Sequence, residues 1–210
     1  MCPAHSVSSD KQPVSAGALS QGGCGFAHSG PSSADDCRNR VAAAGLELPP
    51  IPFPSRHLYA LAGATMLRAL VQRHYQRLLD STINHLFPRD PERLAAAVAK
   101  TTDFIVEATG GPARLSAARG EHSLLSQHLP FAIDEAARAV WLAQLLSAMD
   151  DVGFPDELRL EFWNWLEAMS IHLINAPALR AQPVRYPLAE APIALFPFMA
   201  IRRRSVMCPR

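Results

Sequence analysis

Residues 124–131 read Leu-Leu-Ser-Gln-His-Leu-Pro-Phe, a short apolar segment that holds one histidine, His128, and stops at Pro130. Proline ends a helix because its ring fixes φ and because it has no N–H to donate. The sequence therefore predicts a short helical segment over Ser123–Leu129. A histidine among leucines is more often a core residue than a metal ligand, so the rest of the chain must decide what His128 does.

On both sides of this segment, apolar residues recur every three or four positions, the pattern of helices with one buried face. One predicted helical region covers 56–86, with a break at Gly63. A second occupies 90–112, between an Asp-Pro start and a Gly-Gly-Pro stop. Two more begin after Asp134 and at Pro155. Since no segment alternates with a period of two, the predicted fold class is all-α.

Eighteen prolines divide the 210 residues into three parts. Thirteen lie in residues 1–55 and 177–210, whereas the middle, 56–176, holds five, each between predicted helices. Residues 1–55 are also rich in serine and glycine, so we expect an extension that is mostly disordered and ends in a stiff proline-rich spacer. We expect residues 56–176 to form one domain and residues 177–210 to form a C-terminal extension.

Composition excludes several classes of partner and location. Twenty lysines and arginines against 19 aspartates and glutamates leave a net charge of +1, so nucleic-acid binding is not expected. No apolar window reaches the length of a transmembrane helix, and the N-terminus does not resemble a secretory signal. All four cysteines lie in the flanks, at spacings that favour free thiols in a reducing compartment. We therefore expect a cytoplasmic protein.

Two interpretations are open for the apolar stretch 188–201, which the three arginines 202–204 follow. The stretch could lie on a membrane surface, where basic residues meet anionic lipids. Pro192 and Pro197 interrupt it, however, and would break a continuous amphipathic helix. We favour the simpler interpretation, in which this tail packs against the domain.

Seven short motifs, taken in order, resemble the truncated haemoglobins, most closely their group II. The motifs are Arg73-His74-Tyr75, Leu86-Phe87-Pro88, Gly110-Gly111-Pro112, Arg119-Gly120, His128-x-Pro130-Phe131-x-Ile133, Arg138-x-x-Trp141-Leu142 and Leu173-Ile174-Asn175. No single motif is specific, but their order and spacing over about residues 57–176 are similar to the family's. The resemblance implies a 2-over-2 helical globin fold that encloses haem b, with proline-rich extensions on both sides.

By this resemblance, His128 is the proximal ligand of the haem iron. Its other ring N–H is expected to donate to a backbone carbonyl of residues 124–126, which would fix the tautomer. Arg119 is the matched cation that could neutralise a haem carboxylate. The complete set of expected cofactor contacts is Tyr75, Phe87, Ala97, Thr101, Ile105, Arg119, Leu124, Ile133 and Trp141.

The distal side is expected to be polar although it has no histidine at the usual globin position. Small Ala97 stands there, which leaves Tyr75, Thr101 and Trp141 to donate hydrogen bonds to a bound ligand. The chain is also one residue shorter than usual after Tyr75. If that gap lies elsewhere, His74, otherwise expected at the surface or partly buried on its helix, takes the distal position and could ligate iron.

Three functional hypotheses follow from the resemblance. The first, which we favour, is a haem protein that reversibly binds or transports dioxygen, or binds another diatomic ligand. The second is a redox enzyme, such as a nitric oxide dioxygenase or a peroxidase-like enzyme. Because the sequence has no flavin or nicotinamide motif, such an enzyme would need a separate reductase as its partner. The third is a haem-free sensor or interaction module that keeps the globin fold.

Overall fold

The computed structural model describes residues 48–119, 127–175 and 182–199. The α-helices in these ranges are α1 His57–Leu79, α2 Pro91–Ala108, α3 Arg114–Arg119, α4 Glu135–Asp151, α5 Asp156–Ile171, α6 Ala191–Ala194 and α7 Phe196–Met199. A 3₁₀ turn, Asn84–Leu86, lies between α1 and α2. No strand occurs within the described ranges, and the helical architecture confirms the predicted all-α class.

Several predictions concern residues outside the described ranges. The first part of the N-terminal extension, residues 1–47, belongs to them, together with all four cysteines and the arginines 202–204. So do residues 120–126, which include the first three residues of the segment 124–131 and the carbonyls expected to accept from His128. These predictions stay predictions.

Helix α1 breaks at Gly63, as the sequence predicted. The backbone of Gly63 has φ 75° and ψ 160°, a conformation that L side chains rarely adopt. Gly110, after α2, also has a positive φ, of 102°, and a Cβ there would collide with the Arg56 backbone. The Tyr59 N–H donates to the Thr109 carbonyl at 3.0 Å. The end of α2 is therefore held tightly against the start of α1.

The predicted starts of α2 and α4 are confirmed by their caps. At α2, the Asp90 carboxylate accepts a hydrogen bond from the Arg93 N–H at 2.9 Å, and proline occupies the first helical position. At α4, the Asp134 carboxylate accepts from the Ala137 N–H at 2.7 Å. Each cap satisfies an N–H that the helix itself leaves unpaired and stabilises the helix by about 1 kcal/mol.

Helices α4 and α5 are buried on several sides, where the sequence predicted one inward face for each. Helix α4 buries Arg138 and Gln144 as well as its apolar residues. Helix α1 packs against one part of α4, and α5, α6 and α7 pack against others. Trp163 of α5 is fully buried, and its Nε1–H donates to the Tyr186 carbonyl at 2.7 Å. The C-terminal segment thus covers surfaces that would otherwise face solvent.

The described parts of both flanks lie against the helices. Residues 182–199 contribute three buried side chains to the main hydrophobic core: Tyr186, Ala191 and Leu195. In the other flank, the Pro49 carbonyl accepts from His172 Nε2–H at 2.8 Å, and the Phe53 ring centroid lies 6.4 Å from that of Trp165. None of the helices in the described segments has the length and apolar character needed to span a bilayer.

Candidate functional site

A cavity of about 860 Å³ is enclosed by residues of α1 to α5 and of the turns between them. Its lining is mostly apolar and aromatic, and its volume falls in the range of about 300–1,000 Å³ that is typical of small-molecule and cofactor sites. Seven of the predicted site residues line it together: Tyr75, Phe87, Ala97, Thr101, His128, Ile133 and Trp141. Residues as far apart in sequence as Tyr75 and Trp141, 66 positions, therefore meet around one space.

One other predicted contact is not among the residues that line the cavity, and two more lie outside the described part of the chain. Ile105 is buried in the hydrophobic core and does not line the cavity. Ala97 and Phe104 share the cavity face of α2, and Ile105, the next residue, points about 100° further around the helix. Ile105 thus packs in the core in this structure, and its contact with a cofactor stays a prediction. The side chain of Arg119 and the whole of Leu124 lie outside the part of the chain that the structure describes.

The turn that carries His128 is fixed by Asn175, just after α5. The Asn175 side-chain amide donates to the His128 carbonyl at 2.9 Å, and its side-chain oxygen accepts from the Ile133 N–H at 3.0 Å. The Asn175 N–H also donates to the Ile133 carbonyl at 3.0 Å. One residue therefore holds both ends of the turn 128–133. The sequence analysis named Asn175 only as part of the last motif and gave it no role. Its place in the ordered set of motifs was the only signal for it.

Tyr75 and Thr101 form a hydroxyl pair at the cavity. The Tyr75 Oη lies 2.9 Å from the Thr101 Oγ1, so one hydroxyl donates to the other. The Tyr75 ring also packs edge-on against Phe87, with centroids 5.7 Å apart. Burial raises the pKa of the Tyr75 phenol above its ordinary value of 10.0, which keeps the proton on the oxygen at neutral pH. The residue is therefore a dependable hydrogen-bond donor.

His74 is buried beneath the neighbouring Trp141, with 6% of its surface exposed. Its Nε2–H donates to the Trp141 carbonyl at 3.1 Å, and the two rings meet edge-on with centroids 4.8 Å apart. Burial lowers the pKa of His74 from 6.5 to about 4, so the imidazole is neutral at physiological pH. The expectation of a surface or partly buried His74 was wrong, because α4 covers this side of α1.

Two charged residues on the cavity wall were missed by the sequence analysis. Lys100 donates to the side-chain oxygen of Gln127. The Glu107 carboxylate accepts from the backbone N–H groups of Leu115 and Ser116, both at 3.0 Å, which joins α2 to the first turn of α3. The hydrogen bonds from Ser116 lower the pKa of Glu107. Lys100 lies three residues after Ala97 on the same helix face, and that spacing was the signal for it.

Arg138 is a buried cation that lines the cavity and joins it to the C-terminal segment. Its Nη2 lies 2.7 Å from Glu167 Oε1, and its Nη1–H donates to the Val184 carbonyl at 2.7 Å. Arg185 adds a second ion pair to Glu167, with Nη2 2.8 Å from Oε2. The Arg138 guanidinium also stacks over the Tyr186 ring, 5.2 Å from its centroid. A buried charge persists only when it is paired and hydrogen-bonded, and these contacts supply both.

A helical fold that encloses a mostly apolar cavity, with one histidine in a fixed turn and a hydroxyl pair among aromatic side chains, is that of a small globin. Residues 57–175 match the bacterial-like globin family, and the chain belongs to this family. Membership of a globin family implies haem binding.

Known relatives agree with the group II resemblance. The chain is 39% identical to phosphate-bound Hell's gate globin IV, with a TM-score of 0.67; the match covers 71% of this chain and 93% of that one. The truncated oxygen-avid haemoglobin of Bacillus subtilis is 30% identical, with a TM-score of 0.53, over 56% of this chain and 98% of that one. The group 2 truncated haemoglobin YjbI of Bacillus subtilis (strain 168) is 31% identical over 117 residues, which are 56% of this chain and 87% of the relative.

Proposed function

We propose that the chain binds haem b through His128 and reversibly binds dioxygen or another diatomic ligand in the same cavity. The observation that carries this proposal is the convergence on one cavity of seven residues that the sequence alone had singled out. Residues from motifs that are far apart in the sequence thus line the same cavity. Dioxygen carriage in the cytoplasm is part of the proposal, because the spacings of the four cysteines favour free thiols in a reducing compartment.

The residues of the cavity suit haem. The walls are apolar enough for a porphyrin, and His128 supplies a single imidazole of the kind that ligates globin iron. Lys100 is a cation at this wall that could accompany a haem carboxylate, in addition to the predicted Arg119. When bound, haem supplies an iron at which a diatomic ligand can be held; recognition of that ligand then depends on the protein.

The hydroxyl pair gives the cavity a donor for a polarised ligand. Since one hydroxyl of Tyr75 and Thr101 donates to the other, the second keeps a proton that it can donate into the cavity. Dioxygen carries partial negative charge when it is bound and gains from such a donor in a dry pocket, whereas carbon monoxide gains much less. Trp141 also lines the cavity and is proposed as a further donor.

The alternative in which His74 takes the distal position receives less support. Its Nε2–H is committed to the Trp141 carbonyl, and the neutral ring packs against the indole. His74 also lines the cavity, but turning its Nε2–H toward a ligand there would give up the hydrogen bond to Trp141, at a cost of about 0.5–1.5 kcal/mol. We therefore assign the polar distal role to Tyr75 and Thr101.

Absorption spectra of the full-length protein after haem addition test this proposal. We expect a saturable Soret band at one haem per chain, a shift when carbon monoxide binds the ferrous form, and release of dioxygen under vacuum. A nitric oxide turnover assay with a reductase separates a ligand carrier from a dioxygenase. A protein that shows no Soret band after haem addition would contradict the proposal outright.

A further inference from the structure

A second cavity, of about 430 Å³, lies directly beside the main one. Its exposed mouth is lined by residues that precede α4 or begin it, Asp134 and Ala136 among them, and by the exposed His85. Two residues, Ile83 and Ala137, line both cavities. The two cavities therefore share a part of their walls that is formed by one aliphatic and one small side chain.

The inner part of this second cavity is continuous with the aromatic wall of the main one. Ile83 and Val140 belong to a small buried cluster, against which Phe87 and Trp141 of the main cavity pack. Phe198, on α7, packs against the same cluster and also lines the second cavity. An uncharged diatomic molecule that reaches Ile83 thus meets apolar surface on the way to the proposed ligand-binding side.

Phe198 belongs to a segment that the family match does not include, since that match ends at residue 175. The segment is nevertheless fastened to the globin at two places. Arg185 pairs with buried Glu167 near one end, and the Gln144 side-chain amide donates to the Phe198 carbonyl at 3.4 Å near the other. The C-terminal segment therefore places the half-buried Phe198 ring in the wall of the second cavity.

We propose that the second cavity is an entrance for diatomic ligands, with Ile83 and Ala137 as its inner gate and Phe198 as a cover that restricts it. The proposal rests on the proposed function, because an entrance for diatomic ligands presupposes that the main cavity binds them. A gate of this kind opens by rotation of the Ile83 side chain, since the methyl group of Ala137 has no rotamers of its own. In this arrangement the C-terminal extension sets the rate at which ligands arrive.

Flash photolysis of the carbon monoxide complex of the full-length, haem-loaded protein tests the entrance. Ala136→Trp places a bulky ring at the exposed mouth and should slow bimolecular association by about threefold to tenfold. Phe198→Ala removes the cover and should speed association by a similar factor. Phe196→Ala is the matched control, because Phe196 lies on the same segment, is 67% exposed and does not line the cavity.

Xenon binding to the same haem-loaded protein gives a second readout that does not depend on ligand chemistry at the iron. We expect xenon, detected by ¹²⁹Xe NMR or in pressurised crystals, beside Ile83 in the wild type and its loss in Ala136→Trp. Wild-type association rates in both Ala136→Trp and Phe198→Ala, or no xenon beside Ile83, would overturn the entrance. Failure of carbon monoxide to bind would instead overturn the proposed function, while the xenon result still tests the entrance.

Discussion

Helices α4 and α5 bury ten residues each, whereas α2, with 18 residues the longest of the three, buries three. Helix α4 is enclosed by α1, α5 and the C-terminal segment. Helix α2 instead turns one face, with Ala97, Thr101 and Phe104, toward the cavity. The difference teaches that α4 and α5 are held by contacts with other helices, whereas the inner face of α2 depends on what fills the cavity.

Removal of haem should have the largest effect, and it should affect α2 far more than α4. Without haem, the cavity face of α2 loses its proposed partner, so its amides should exchange with deuterium about 10³-fold faster or more. The amides of α4 should keep most of their protection, because α4 also packs against α1, α5 and the C-terminal segment. Hydrogen exchange with and without haem measures both helices in one experiment. Equal loosening of α2 and α4 would show that the two helices do not differ in this way.

Glu167→Ala tests the packing between α4 and α5. It leaves the buried Arg138 guanidinium without its main counter-charge, so we expect a loss of about 3–5 kcal/mol in the free energy of unfolding by urea. Glu135→Ala is the matched control, because Glu135 also pairs with Arg138, at 2.8 Å, but its side chain is 35% exposed. The control should cost about 1 kcal/mol or less. Similar losses in the two variants would mean that burial of the pair contributes nothing special.

His74 should make the contact between α1 and α4 sensitive to acid. Its pKa is lowered from 6.5 to about 4, mainly by burial, with the hydrogen bond to the Trp141 carbonyl opposing the shift and the charge of Arg77 adding to it. Below pH 6.5 the unfolded chain takes up a proton that the folded chain refuses. The stability that is fully present above pH 6.5 is therefore lost as the pH falls toward 4, by about 2–3 kcal/mol. In His74→Gln, the free energy of unfolding should change less with pH between 6.5 and 4 than it does in the wild type. The same dependence on pH in both proteins would refute the assignment.

Tyr75→Phe combined with Trp141→Phe tests the proposed hydrogen-bond donors in the cavity and should have a smaller effect. Loss of hydrogen-bond donors worth about 1–1.5 kcal/mol should speed dioxygen dissociation about tenfold, with little change for carbon monoxide. Tyr59→Phe is a suitable control, since Tyr59 packs on the core and does not line the cavity. Stopped-flow release of dioxygen measures the effect. A rate equal to that of wild type would show that the donors lie elsewhere.

Local chemistry made the helix starts and breaks predictable from sequence. Asp90 and Asp134 cap their helices through contacts three residues away, and Gly63 needs only its own backbone freedom. The order of the motifs also made most of the cavity residues predictable, through the family resemblance. These features depend on short stretches of chain or on the family resemblance, both of which the sequence contains directly.

Burial that depends on distant segments could not be predicted in the same way. Periodicity gave α4 one inward face, because nothing local indicates that residues 182–199 return to cover it. The same reason explains the buried Arg138 and the depth of His74. Ile105 lies in the core while the adjacent Phe104 lines the cavity, a difference between neighbouring positions on α2 that the sequence did not resolve. Asn175 had a motif but no visible partner until the turn at His128 was folded beside it.

Haem titration of three full-length proteins, followed by the Soret absorbance, tests the central claim most directly. Wild type and His57→Ala, which removes an exposed histidine at the start of α1, should each saturate at one haem per chain. His128→Ala should retain its helical content and show no stable uptake of haem. If His128→Ala takes up haem as the wild type does, His128 is not the iron ligand and the proposed arrangement of the cavity is incorrect.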